Sequence, residues 1–192
     1  MTAAEQALAA RAVVLVEGIS DRIALETLAA RRGRDLGGEG VAVVPIGGAQ
    51  AVGRYLDLYG PDGLGLTLAG LCDVGEEREF RRGLERAGLG TGLTSDGMEA
   101  LGFYVCKADL EDELIRALGT DLVERVVEAN SDLRPFRTLQ KQPEWRGRPA
   151  NEQLRRFMGS GGRRKIRYAS LLVEALDLTR VPRPLDLVLQ RI

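Results

Sequence analysis

Five apolar residues, Ala12–Val16 (AVVLV), run straight into Glu17 and Gly18 and then into a segment with helical spacing. An unbroken branched run of this length belongs to a strand buried on both faces, so it needs cover above and below. Such a strand, followed by a tight turn and a helix, points to a layered α/β architecture rather than a sandwich or a bundle. The unit recurs. Residues 41–46 (VAVVPI) read as a second strand, ended by Gly47-Gly48 and followed by a helix over 49–59. Residues 64–72 (LGLTLAGLC) read as a third strand. The helix over 76–88 carries Phe80, Leu84 and Ala87 on one stripe. Phe103–Cys106 reads as a fourth strand, with Asp109 capping a helix over Leu110–Leu118. Alternating strands and helices imply right-handed crossovers, hence a mainly parallel four-stranded sheet flanked by helices. Beyond 119 the pattern is helical (120–130, about 150–158 and 165–177), with a Pro- and Arg-rich connection over 134–149. The expected division is an α/β core over 1–119 and a helical, basic C-terminal extension over 120–192 that completes the site.

Composition removes most of the chemistry such a sheet might host. The 192 residues include no histidine, which excludes Ser-His-Asp and Cys-His catalysis and imidazole metal sites. The two cysteines, Cys72 and Cys106, are too few for a zinc ribbon or a disulfide framework. No apolar stretch approaches the roughly 18 residues of a membrane span. The opening MTAAEQALAARAVVLVEG has no basic segment ahead of an apolar one, so no leader is expected. A cytoplasmic protein with free thiols and no membrane attachment is the expectation.

Charge becomes informative when the chain is divided. Residues 1–130 hold 13 basic and 22 acidic side chains; residues 131–192 hold 14 basic and 6 acidic. The tightest excess is in 134–167, with 11 basic and 2 acidic residues. An acidic centre beside a basic stripe suits a metal-dependent enzyme acting on nucleic acid. Arginine outnumbers lysine 24 to 3, however, and an arginine-rich solvated surface would look the same.

In parallel sheets, chemistry gathers beyond the carboxyl ends of the strands. The acids there are Glu17, Asp73 and, just past the fourth strand, Asp109 and Glu111. Asp21 lies one turn after Glu17, and Glu76 and Glu77 follow Asp73 closely. With no histidine, an all-oxygen site is the one metal chemistry left open, and hard cations such as Mg²⁺ take carboxylates, water and phosphate. Two-metal sites need several carboxylates to hold ions about 3.5–4 Å apart. Asp21, Glu76, Glu77 and the DLEDEL run over 109–114 also suit helix first turns, where acids complement the macrodipole.

The second feature is Gly159-Ser160-Gly161-Gly162 leading into Arg163, Arg164, Lys165 and Arg167. Cations at a helix start oppose the macrodipole. Glycines, free N–H groups and cations together can cradle phosphate. The run lacks the G-x-x-x-x-G-K-[ST] spacing, so no Walker loop is expected, and no G-x-G-x-x-G pattern marks a dinucleotide site. Phe136 and Trp145 sit among basic residues and could stack on bases, but a small packing role is the expectation for both.

These residues carry a family resemblance. LVEGISDRIALETLA (15–29), opening on Glu17, resembles the first motif of TOPRIM domains. The extended form, with VVPIGGAQ (43–50), LAGLCD (68–73), ADLEDEL (108–114) and GSGGRRKIRYASLLVEAL (159–176), resembles the TOPRIM region of OLD (overcoming lysogenization defect) nucleases, over roughly 12–177. The resemblance implies a TOPRIM-like fold and a Mg²⁺- or Mn²⁺-dependent site. Glu17 would match the first-motif glutamate, a metal ligand or general base. Asp21 would match the acid one turn later, Asp73 the first aspartate of an Asp-x-Asp motif, Glu111 a second-metal ligand, and Lys165 the lysine that stabilises transition-state charge. The chain departs at Gly75, where the second aspartate belongs; Glu76 or Glu77 is the candidate substitute.

The expected activity is therefore nicking or endonucleolytic cleavage of DNA, with Arg155, Arg156, Arg163, Arg164, Lys165 and Arg167 on the backbone. Full-length OLD proteins join an ATPase to this domain. The resemblance thus implies a module that works alone or with a separate ATPase chain, and a homodimer is compatible with it. The rival is a catalytically degenerate TOPRIM module that binds nucleic acid or a partner ATPase, as Gly75 would favour. A third reading, phosphoryl transfer on a small nucleotide, fits the long basic stripe less well.

Overall fold

The computed structural model describes residues 10–192. The reading of a leaderless N-terminus falls largely on residues 1–9, which lie outside the described residues. Four strands form one sheet: β1 (Ala12–Val16), β2 (Val41–Pro45), β3 (Thr67–Asp73) and β4 (Phe103–Cys106). Their order is β2-β1-β3-β4 and every pairing is parallel. The register sets Val16 beside Pro45 and Leu71, and Asp73 beside Cys106, so all four carboxyl ends share one rim.

The continuous apolar run of β1 has the expected cause. Ala12, Val14 and Val16 enter one core while Val13 and Leu15 enter the other. On the second face lie α2 (Val52–Tyr59), α3 (Glu77–Arg86) and α4 (Ser95–Ala100), which contribute Leu56, Phe80, Leu84 and Met98. The first face is thicker. Helix α1 (Ile19–Arg31) lies on the sheet. It is joined by α5 (Leu110–Leu118), α6 (Thr120–Ala129), α7 (Leu133–Lys141), α8 (Ala150–Gly159), α9 (Gly162–Ala175) and α10 (Arg183–Arg191). One apolar cluster runs from Val14 and Leu25 through Leu114 and Val123 to Phe136, Phe157, Leu172 and Val188. The helices of the basic C-terminal segment are thus packed into the same core as the sheet. Among the described residues, no helix is long and apolar enough to cross a membrane.

Three helices depart from the sequence reading. The 134–149 connection contains α7, whose Phe136 and Leu139 are buried and whose Pro135 sits in the first turn, where its missing N–H does no harm. Helix α10 follows Pro182 and carries Pro184 at its start, with Leu185, Val188 and Leu189 buried. Helix α4 is a short segment capped by Thr94, whose Oγ1 accepts from Gly97 N–H at 3.2 Å. The third strand also begins later than expected. Gly65 turns the chain at φ +64°, and the strand runs to Asp73 itself. Phe136 packs as expected, edge-on to Phe157 with centroids 5.2 Å apart. Trp145 packs too, half-buried against the edge of the same core.

Candidate metal centre

The rim collects the carboxylates in a definite order. Glu17 leaves β1 half-exposed, and its carbonyl accepts from Gly47 N–H at 3.0 Å, tying the first and second strand-end turns together. Gly18 precedes α1, and its N–H donates to Asp21 Oδ2 at 2.8 Å. Asp21 therefore does the work of a helix-start acid, yet it is 8% exposed. Burial raises its pKa, and the Glu17 charge adds to this against the Gly18 bond and Lys165.

Asp73 ends β3 beside this turn. Its pKa is pushed up to about 8, first by burial and then by Asp21, Glu17 and Asp109, with Lys165 opposing. A 3₁₀ turn over Val74–Glu76 then redirects the chain. Within it, Glu76 faces the Glu17 carboxylate. Burial and that contact raise the Glu76 pKa to about 7. Glu77 turns away: its Oε1 accepts from Ser95 Oγ at 2.6 Å, on α4. The chain thus presents Glu76, not Glu77, beside Asp73. Gly75 is exposed, and a side chain there would meet open space.

The opposite wall comes from α5 and α9. Asp109 caps α5 through Oδ1, which accepts from Asp112 N–H at 2.8 Å, and holds Arg155 Nε at 2.7 Å with Oδ2. One turn on, Glu111 is 5% exposed. Its Oε2 lies 3.6 Å from Lys165 Nζ, and its pKa is raised by burial to about 7 although Lys165 works against this. Lys165, in the first turn of α9, is also raised. Its desolvation is outweighed by the charges of Glu111, Asp21, Asp73 and Glu17, so the ammonium stays protonated over the cluster. Glu113 is buried but satisfied by Lys107 N–H at 2.8 Å and Arg116 at 2.7 Å.

Two carboxylate oxygens, Glu76 Oε2 and Glu111 Oε1, are buried with no hydrogen-bond partner. An ionised oxygen so placed is costly unless a cation or donor meets it. Among the described residues, no three His, Cys, Asp or Glu side chains are gathered closely enough to hold a metal ion by themselves, so an ion here would need water and substrate oxygens to complete its shell. The arrangement is an open, all-oxygen one with two unmet acceptors. That fits a hard divalent ion, which keeps part of its water shell and takes ligands from substrate.

The sequence-predicted arginines separate into two groups. Arg164 is held inside the fold: it donates to Ser160 Oγ at 2.7 Å and lies 4.2 Å from the Phe157 ring centroid, fixing the glycine-rich turn. Arg167 pairs with Asp132 at 2.6 Å, and Arg155 with Asp109. Arg156 and Arg163 are exposed with no carboxylate partner among the described residues. Sequence reasoning gave Trp145 a packing role; it also lines a cleft beside Asp109. Its signal was the flanking arginines.

Comparisons with known proteins agree with this geometry. Residues 8–74 match the model of the overcoming lysogenization defect protein-like TOPRIM domain. No curated protein matches. Among solved structures, the C-terminal region of the Xanthomonas campestris pv. campestris OLD protein aligns at TM-score 0.76 and 24% identity, over 97% of this chain and 94% of that one. The C-terminal region of the Burkholderia pseudomallei OLD protein aligns at TM-score 0.73 and 22% identity, over 95% of this chain and 96% of that one.

Proposed function

We propose, for a chain that carries an OLD-like TOPRIM domain and has the fold of OLD C-terminal regions, a divalent-metal-dependent nuclease acting on DNA phosphodiesters. The observation that carries this reading is the pair of buried, unpartnered oxygens, Glu76 Oε2 and Glu111 Oε1, in a cluster whose lysine stays charged. Glu17, Asp73 and Glu76 would hold an ion on one side, with Asp21 behind them and Glu111 on the other side. When bound, Mg²⁺ or Mn²⁺ supplies Lewis acidity toward a phosphoryl oxygen and lowers the pKa of water.

The chain's own groups do the rest. Burial and the neighbouring Glu17 carboxylate raise the Glu76 pKa to about 7, which suits Glu76 to take a proton from an attacking water. Lys165 Nζ meets the negative charge that grows on the phosphate in the transition state. Arg156 and Arg163 track the backbone, with little base specificity and strong salt dependence. Arg155 orients Asp109.

The test is plasmid nicking with Mg²⁺ or Mn²⁺. Glu17→Ala, Asp73→Ala and Lys165→Ala should each reduce the rate by at least a hundredfold, in line with the loss of groups that act on transition-state charge. Nicking that survives Glu17→Ala and Asp73→Ala removes the site. The degenerate, binding-only reading rests on Gly75; the half-buried Glu76 one residue later weakens it, and calorimetric titration with Mn²⁺ decides. A partner ATPase, on the same chain or another, is proposed from the family alone.

A further inference from the structure

A cleft of about 470 Å³ lies between α8 and the 142–149 segment and shares only Asp109 and Arg155 with the wall of the metal centre. It is lined by Trp145, Arg148, Glu152, Arg155, Arg156 and Asp109. Trp145, the only tryptophan of the chain, is half-buried there. The guanidiniums of Arg148 and Arg156 stand 5.2 and 5.8 Å from its ring centroid. Three arginines face two acids, and both acids are engaged: Glu152 with Arg148 at 3.4 Å and Asp109 with Arg155 at 2.7 Å. The cleft abuts the metal centre, because Asp109 caps the helix whose next residues include Glu111.

A half-buried indole whose ring is covered only by mobile guanidiniums can exchange them for a flat, electron-rich ring attached to an anion. In a duplex both faces of each base are covered by stacking, so only an unpaired base has a face to offer. A base stacks on an indole more strongly than an exposed guanidinium does, and the displaced guanidiniums are well shaped to grip the attached phosphate. We propose that this cleft binds an unpaired nucleotide of single-stranded DNA, its base on Trp145 and its phosphate on Arg148 and Arg156, next to the acidic rim. The inference rests on the nuclease reading for what the strand is delivered to, and it makes single-stranded or frayed DNA the preferred substrate.

Trp145 is its own reporter. The protein is titrated in EDTA with a ten-residue oligothymidylate and, separately, with a blunt hairpin duplex, following tryptophan emission. Saturable quenching by the single strand is expected, with an affinity roughly tenfold or more above that for the blunt duplex, as loss of one stacked base implies. Arg148→Ala and Arg156→Ala should each weaken it severalfold. By anisotropy of a labelled strand, Trp145→Phe should stay within about threefold of the native protein and Trp145→Ala should lose roughly tenfold. Emission that does not respond to the single strand, or responds equally to the blunt duplex, overturns the proposal. No divalent ion is present, so that failure leaves plasmid nicking untouched. Conversely, quenching that persists where nicking is absent removes the nuclease reading alone.

Discussion

Gly75 stands where a second aspartate would complete the motif, and nothing in the fold requires a glycine there. A Cβ would meet open space, and the backbone is not in the left-handed region. Gly75→Asp is therefore expected to leave the melting temperature within a degree or two and to tighten Mn²⁺ binding measured by calorimetry. Unchanged affinity would mean that Glu76 already fills the position. Glu111 sits in the opposite situation. Its buried carboxylate, with one oxygen unmet, costs stability in its ionised form. Glu111→Gln at pH 8 should melt no lower than the native protein by calorimetric scan while binding Mn²⁺ more weakly. Glu17 and Asp73 were legible in the sequence because a strand end fixes where its next side chain goes. Glu76 and Glu77 were not separable, since only the 3₁₀ turn decides which faces Glu17 and which reaches Ser95. Arg164 and Arg167 looked free because their partners, Ser160 and Asp132, are set by side-chain geometry and long-range packing.

The elements that sequence reasoning found are those with a strong period or an unbroken apolar run, and β1, β4 and α5 fall where expected. Two of the three it passed over carry proline at or just before their first turn, α7 with Pro135 and α10 with Pro182 and Pro184; the third, α4, is only six residues long. Proline marks a first turn as readily as a loop, and what distinguishes the two is an apolar spacing short enough to be overlooked. Packing of elements then places the lysine. Arg31, in the last turn of α1, donates to the carbonyls of Val173 and Leu176 at 2.7 and 2.8 Å, closing the C-terminus of α9. The helix that carries Asp21 thus anchors the helix that carries Lys165. Arg31→Met loses two charge-assisted bonds at a half-buried site, about 1–2 kcal/mol together, and should lower the melting temperature by roughly 2–8 °C. Gly70 of β3 gives a second test: a Cβ there would overlap the Phe103 ring of β4. Gly70→Ala is expected to destabilise by about 1–3 kcal/mol, as overpacking does, read as a lower urea midpoint at constant slope.

For the whole molecule, the segregation of charge seen in the sequence resolves into a buried acidic rim faced by Lys165 and a basic surface that is partly self-neutralised, Arg155 by Asp109, Arg137 by Glu124 and Arg148 by Glu152. The acidic rim makes stability depend on pH in a direction opposite to that of ordinary salt-bridged carboxylates. Asp73 is raised to about 8, Glu76 and Glu111 to about 7, and Asp21 in the same direction. Each of these groups binds its proton more tightly folded than unfolded. Their contribution is fully present below the ordinary carboxylate range and is lost as pH rises through 7 to 8. The depressed carboxylates, Glu39, Glu99 and Asp177, work the other way, but only at acidities below that range. Between pH 5.5 and 8 the raised group dominates, so the metal-free protein should melt at progressively lower temperature as pH increases. A divalent ion at the proposed site would compete with those protons and bind only the folded state, so saturating Mn²⁺ should raise the melting temperature more at pH 8 than at pH 5.5. Thermal scans at both pH values, with Mn²⁺ and with EDTA, measure all four quantities. An Mn²⁺ increment that is equal at the two pH values, or larger at pH 5.5, would mean that the ion does not meet the carboxylates whose protons it is expected to displace.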